Sequence, residues 1–160
     1  MKISELMTRT VQLCHPTDTL DRAAQRMWDH DIGALIVVDD PGQVIGVITD
    51  RDICMAAYTC GVALRDIPVV QAMAKHVVTC GADDSVDAVQ TMMARHKIRR
   101  VPVVDDANHP VGMLSLNDLA CTMARGRELP ASAVAGTLAA ICEHRAARSA
   151  ATAATAAPPS

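Results

Sequence analysis

Two rhythms of apolar and polar positions alternate along the chain. VQLC (Val11–Cys14) reads as a short strand, and Pro16-Thr17-Asp18-Thr19 reads as a turn ending in a helix cap. Leu20, Ala23, Ala24 and Met27 then recur at helical spacing. ALIVV (34–38) predicts a second strand, DDPG a turn, and VIGVIT (44–49) a third strand that runs into a helical segment, DRDICMAAY. The same order returns later: VVTC, then Asp83-Asp84-Ser85, then Val86, Val89, Met92 and Met93 at helical spacing. VPVV, DDANHP, VGMLS and LNDLACTMA follow.

The recurrence keeps a single register. Met7 falls on Met73, Cys14 on Cys80, Asp18 on Asp84, Met27 on Met93, His30 on His96 and Ile32 on Ile98. VVDD at 37–40 falls on VVDD at 103–106, Gly46 on Gly112 and Asp52 on Asp118, with no gap from Ile3 to Ile53. This is an internal duplication of a β-α-β-β-α unit. A unit of this size buries little surface alone, so the two are expected to pack together. The expected organisation is an α+β fold with one repeat at 3–59, a linker at 60–70, a second repeat at 71–126, a C-terminal helix at 130–148 and a disordered low-complexity tail at 149–160.

Composition narrows the class. The chain has 160 residues, no Phe, one Trp, one Tyr and nine Met, so Val, Ile, Leu, Ala and Met must fill the core. A net charge of −3 argues against a general nucleic-acid binder. No apolar stretch is long enough to span a membrane and MKISELMT is no signal segment, so a cytoplasmic location is expected. Six cysteines without a C-x-x-C pair point to small buried hydrophobes rather than a disulfide scaffold or zinc site. Cys14 and Cys80 occupy matching places, and a redox pairing between them is the alternative.

The third strand of each unit ends in G-x-x-[TS]-x-x-D: Gly46, Thr49 and Asp52, then Gly112, Ser115 and Asp118. One reading is a capping box, with a hydroxyl at the helix start and an acid three residues on. The other is a ligand site. Glycine within a strand suits close approach of backbone or ligand, and a helix N-terminus favours phosphate. A carboxylate there can accept two hydrogen bonds from a vicinal diol, as in ribose.

These residues carry a resemblance. ELMTRTVQLCHPTDTLDRAAQRMWDHDIGALIVVDD, GVITDRDI, HKIRRVPVVDD and GMLSLNDL resemble the CBS motif, and the pair resembles a CBS pair, or Bateman module, from Ile3 to about Met123. The resemblance implies two repeats about a pseudo-two-fold axis with two clefts between them. It implies an adenosine-containing regulatory ligand: AMP, ADP, ATP, NAD(H) or S-adenosylmethionine. Asp52 and Asp118 would hold ribose, Thr49 and Ser115 would lie near phosphate, and Gly46 and Gly112 would keep the backbone close to the ligand. It also implies a homodimer built through helices.

The clefts are expected to differ. The second unit has Arg99 and Arg100 leading into its second strand, where the first has Gly33 and Ala34. An arginine fork pairs two phosphate oxygens at once. The better polyphosphate site is therefore expected to combine Arg99 and Arg100 with Ser115 and Asp118, while the first cleft offers Arg51 between Asp50 and Asp52. The alternative is a solvated basic face over Arg95, Lys97, Arg99 and Arg100.

His30 and His96 read as helix-end residues rather than metal ligands, since neither has a ligand three or four residues away. Trp28, matched by Ala94, reads as either a dimer contact or core. No catalytic triad, P-loop, G-x-G-x-x-G or H-E-x-x-H occurs, and Asp39-Asp40 and Asp105-Asp106 read as turn formers. No catalytic residue and no required cofactor is therefore expected. The expected function is a nucleotide-sensing module that signals across a dimer or to a protein partner. The alternative is a ligand-free scaffold with the same fold.

Overall fold

The computed structural model describes residues 1–126 and 129–143. The end of the expected C-terminal helix and the low-complexity tail lie outside the described residues. The first repeat runs β1 (Leu13–Cys14), α1 (Leu20–Asp29), β2 (Ala34–Val38), β3 (Val44–Thr49) and α2 (Asp50–Cys60). A 3-10 turn (Leu64–Asp66) and a single helical turn, α3 (Val69–Ala72), lead to the second repeat. That repeat runs β4 (Cys80–Gly81), α4 (Val86–His96), β5 (Arg100–Val104), β6 (Pro110–Ser115) and α5 (Leu116–Ala124), and α6 (Ala131–Cys142) follows. The fold is α+β, as expected.

The repeats are matched in detail. Each forms a three-stranded sheet in sequence order. The first pair of strands is parallel and the second antiparallel. Ala34 pairs with Thr49 as Arg100 pairs with Ser115, and both hairpins carry an irregularity, at Val37/Val38 and at Val103/Val104. The turn before each first helix closes in the same way: the Asp18 carboxylate accepts from the His15 N–H (2.9 Å) and the Asp84 carboxylate from the Gly81 N–H (2.8 Å). The first strands are shorter than the apolar runs suggest. Val11 and Gln12, like Val77 and Val78, stand outside the sheets and line the space between the repeats.

Each repeat completes the core of the other. Ile3, Leu6 and Met7 are buried with the second repeat's Val86, Val89, Met93 and Leu119. The Ile3 and Ser4 N–H groups donate to the Asp84 and Ala82 carbonyls. In mirror fashion Ile67 and Val69 are buried with the first repeat's Leu20, Met27, Ile48 and Ile53, and the Val69 N–H donates to the Asp18 carbonyl at 2.8 Å. Each such buried aliphatic contributes about 1.5–3 kcal/mol, so this exchange fastens the repeats strongly. A smaller core between the sheets joins Ile36, Val38 and Val44 to Val77, Val104 and Met113. At its edge the Val44 N–H donates to the Asn108 carbonyl and the Asn108 amide donates back to the Val44 carbonyl, both at 3.0 Å.

The outer faces of the repeats differ. Helix α6 lies against α4 and α5, and a buried contact of 3.4 Å joins the Gln90 amide to the Thr137 hydroxyl. Small residues, Ala94 on α4 with Ala133 and Gly136 on α6, line the seam. The corresponding face of the first repeat, α1 and α2, carries Trp28 and Tyr58, 86% and 83% exposed. The expectation left Trp28 between core and surface, and the fold puts it on the surface. Among the described residues no helix is long and apolar enough to cross a membrane.

Candidate functional site

Thr49 and Ser115 end the third strands of their sheets in extended backbone, so each hydroxyl points at the first turn of the following helix. Thr49 Oγ1 accepts from the Asp52 N–H at 3.2 Å, and Asp52 Oδ2 accepts from the Thr49 N–H (2.9 Å) and the Thr49 hydroxyl (2.7 Å). Ser115 and Asp118 repeat the pattern at 3.2, 2.7 and 2.6 Å. Both copies are therefore capping boxes. The box consumes one carboxylate oxygen and leaves the other. Among the described residues nothing donates to Asp52 Oδ1. Asp118 Oδ1 has Thr8 Oγ1 at 3.4 Å, a long contact.

Two clefts lie between the repeats, and each is assembled from both. The first takes Thr49, Arg51 and Asp52 from repeat one, and Ile98, Arg99 and Arg100 from repeat two. The second takes Ser115, Asn117 and Asp118 from repeat two, and Ile32, Gly33 and Ala34 from repeat one. These six are the register counterparts of the first six. The segment that leads into each second strand thus faces the G-x-x-[TS]-x-x-D stretch of the opposite unit. This extends the expected grouping: Arg99 and Arg100 line the cleft of Thr49 and Asp52, while Arg100 also lines that of Ser115 and Asp118, and Arg99, Arg100 and Ser115 share a further pocket against α6. Because the sheets face each other across the pseudo-axis, β5's leading residues are carried over to α2.

The first cleft has a volume of about 350 Å³ and the second about 190 Å³. Small-molecule sites span roughly 300–1,000 Å³, so the first is of ligand size and the second is the tighter space. Val47, Val77, Val78 and Pro102 give the first cleft an apolar wall, and His76 stands at it. Arg51, Arg99 and Arg100 line this cleft together with Asp50 and Asp52. The second cleft has Asp31 and Asp118 with one cation, Arg100, which lines both.

Gly46 and Gly112 line neither cleft. A Cβ at Gly46 would meet Met73 Sδ at 2.7 Å and the Ala74 carbonyl at 3.2 Å; at Gly112 it would meet Met7 Sδ at 2.6 Å and the Thr8 carbonyl at 3.1 Å. The close approach at both glycines is by the exchanged segments of the chain itself. Val77, Val78 and Ile98 were not singled out as site residues. Their signal was the register itself, since they match Val11, Gln12 and Ile32 at the second cleft.

Among the described residues no group of three or more His, Cys, Asp or Glu could hold a metal ion. His30 caps the end of α1 and His96 is the last residue of α4, both exposed. Cys14 and Cys80 are buried in separate cores, and burial pushes each thiol up to about 12.

A family model described as CBS domain matches residues 3–58 and again 64–124. The chain belongs to the CBS domain family. The CBS domain-containing protein YhcV of Bacillus subtilis (strain 168) is 37% identical over 120 residues, covering 74% of this chain and 82% of YhcV. Hypoxic response protein 1 of Mycobacterium tuberculosis is 30% identical over 138 residues, covering 86% of this chain and 92% of that protein. The structure is similar to the CBS domain pair of protein MJ0100 in complex with 5'-methylthioadenosine and S-adenosyl-L-methionine. That likeness has a TM-score of 0.73 at 26% identity, over 79% of this chain and 98% of that one.

Proposed function

We propose that this CBS pair is a regulatory module that binds an adenosine polyphosphate in its first cleft and transmits occupancy to a second copy. The convergence of Arg51, Arg99 and Arg100 on Thr49 and Asp52 carries the reading. Asp52 Oδ1 accepts from the ribose diol, the arginines hold phosphate, and the apolar wall takes the base. Three cations in a part-buried cleft favour ATP or ADP over AMP, and over uncharged nucleosides. That a related CBS pair holds adenosine compounds supports the ligand class.

The carrier of the signal is the angle between the repeats, because the first cleft has walls from both. A ligand shifts that angle by its differential affinity for the two arrangements. The α1/α2 face with Trp28 and Tyr58 is the dimer surface of this reading, as the matching face of the second repeat is covered by α6. One observation favours a ligand-free scaffold instead: each carboxylate already serves a capping box.

A thermal-shift series with AMP, ADP, ATP, NAD(H) and S-adenosylmethionine separates the readings. Sensing requires a saturable rise in Tm, largest for ATP and ADP. A flat response to all of them establishes the scaffold.

A further inference from the structure

Arg100 has no counterpart, because the matching residue in the first repeat is Ala34. It is half-buried and lines both clefts. Its guanidinium rests against the bare backbone of Gly33: a Cβ there would lie 2.9 Å from Nη2 and 3.1 Å from Asp50 Oδ2. Each cleft offers it a carboxylate, Asp50 in the first and Asp31 in the second. One cation thus stands at the boundary of two sites, over a residue whose missing side chain leaves it room.

We infer that Arg100 is a shared phosphate-binding arm that only one cleft can hold at a time, so a polyphosphate in one cleft weakens polyphosphate binding in the other. This rests on the nucleotide-sensing function proposed above. A guanidinium drawn into a bidentate pair with phosphate in the first cleft is withdrawn from the second, which has no other arginine among its lining residues. The coupling is reciprocal, as any binding linkage must be. It depends on ligand charge, so an uncharged nucleoside in the first cleft leaves the second unaffected. The consequence is a sensor that takes one polyphosphate per chain at low concentration while its second cleft stays open to uncharged adenosine compounds.

Isothermal titration with ATP and with adenosine tests this. The second ATP on the wild-type chain is expected to bind about tenfold more weakly than ATP binds the intact second cleft of Asp52→Ala, where the first cleft competes far less for Arg100. Asp52→Asn, which keeps an acceptor for the cap, gives the same result if Asp52→Ala is poorly folded. In Arg100→Gln the difference disappears, and adenosine shows none in any variant. Arg100→Lys keeps the charge without the fork and retains part of it. A tenfold difference that survives Arg100→Gln, or equal second-cleft affinity in wild type and Asp52→Ala, overturns the shared arm while nucleotide sensing stands. Failure of the wild-type chain to bind any adenosine compound overturns both.

Discussion

The two repeats are alike where they face their cores and unlike where they face ligand or solvent. Strand pairing, hairpin irregularity, capping box and exchanged segment coincide position by position. Core pairs exchange one apolar residue for another, as at Leu20/Val86, Ala23/Val89 and Ile48/Leu114, whereas changes of charge and polarity fall at the cleft pairs Gly33/Arg99, Ala34/Arg100, Arg51/Asn117 and Thr8/Ala74, and a change from large to small at the outer pair Trp28/Ala94. Core positions are enclosed by neighbours, so one apolar residue can replace another there while an unpartnered polar or charged one is penalised. Cleft and outer positions touch few. A duplicated fold can therefore keep its symmetry as a scaffold while giving its two clefts different electrostatics.

The largest expected effect tests the likeness. Cys14 and Cys80 are held alike, with thiols pushed from near 9 to about 12 by burial. The thiolate is the reactive form, so at pH 8 each presents about a thousandfold less of it than an ordinary thiol. Sign matters here: a raised thiol pKa removes reactivity below it and restores it only as pH approaches 12. Native alkylation at pH 8 followed by mass spectrometry should label the exposed Cys54, Cys60, Cys121 and Cys142 and spare both buried thiols. Labelling of one buried thiol but not the other breaks the equivalence of the cores.

The next effect tests the difference. Asp52→Ala should lower the affinity of the tighter ATP site about a hundredfold, combining a lost charged acceptor with a lost cap. Asp118→Ala should leave that site within about twofold. Both variants lose the same capping box, so their Tm values should fall together, by an amount corresponding to about 1 kcal/mol. Equal losses of ATP affinity would show that the arginines do not distinguish the clefts.

Much of this fold was legible in the sequence, because the duplication showed every element twice and a single register aligned them. What was not legible was which unit each segment packs against. Ile3, Leu6 and Met7 read as the start of the first repeat and are buried in the second, while Ile67 and Val69, read as linker, are buried in the first. Register carries no record of such crossing. The same blindness hid that Arg99 and Arg100 also line the cleft of Thr49 and Asp52 in the other repeat. The residue types of the site were readable, since carboxylate, hydroxyl and arginine chemistry is local; their grouping depends on sheets meeting across an axis. Gly46 and Gly112 read as close approach of backbone or ligand, and the atoms that approach them belong to Met73 and Ala74 and to Met7 and Thr8. A glycine reports that something comes close, not what it is.

Gly46→Ala and Gly112→Ala sharpen that point. Each Cβ pushes a flexible methionine end but also crowds a backbone carbonyl, Ala74 or Thr8, that belongs to a bridge between exchanged segment and sheet. Each variant should lose about 1–3 kcal/mol of stability by denaturant unfolding, and the two losses should agree. Met73→Ala in the Gly46→Ala background should return only part, because the carbonyl contact remains. Full stability with lost nucleotide binding would instead return the glycines to the ligand.

The smallest effect comes from moving a cation between clefts. Asn117 is exposed and holds the place in the second cleft that Arg51 holds in the first. Asn117→Arg gives that cleft an arginine of its own beside Ser115 and Asp118. An exposed charge in high dielectric contributes less than about 1 kcal/mol, so the weaker ATP site should tighten only about two- to fivefold. The gain should shrink at 0.5 M salt, where the screening length is about 4–5 Å. The tighter site should not change, because Arg51, Arg99 and Asp52 are untouched. A gain confined to the weaker site and removed by salt establishes that charge, and not shape, separates the two clefts. No gain at low salt assigns the difference to volume, about 350 against about 190 Å³.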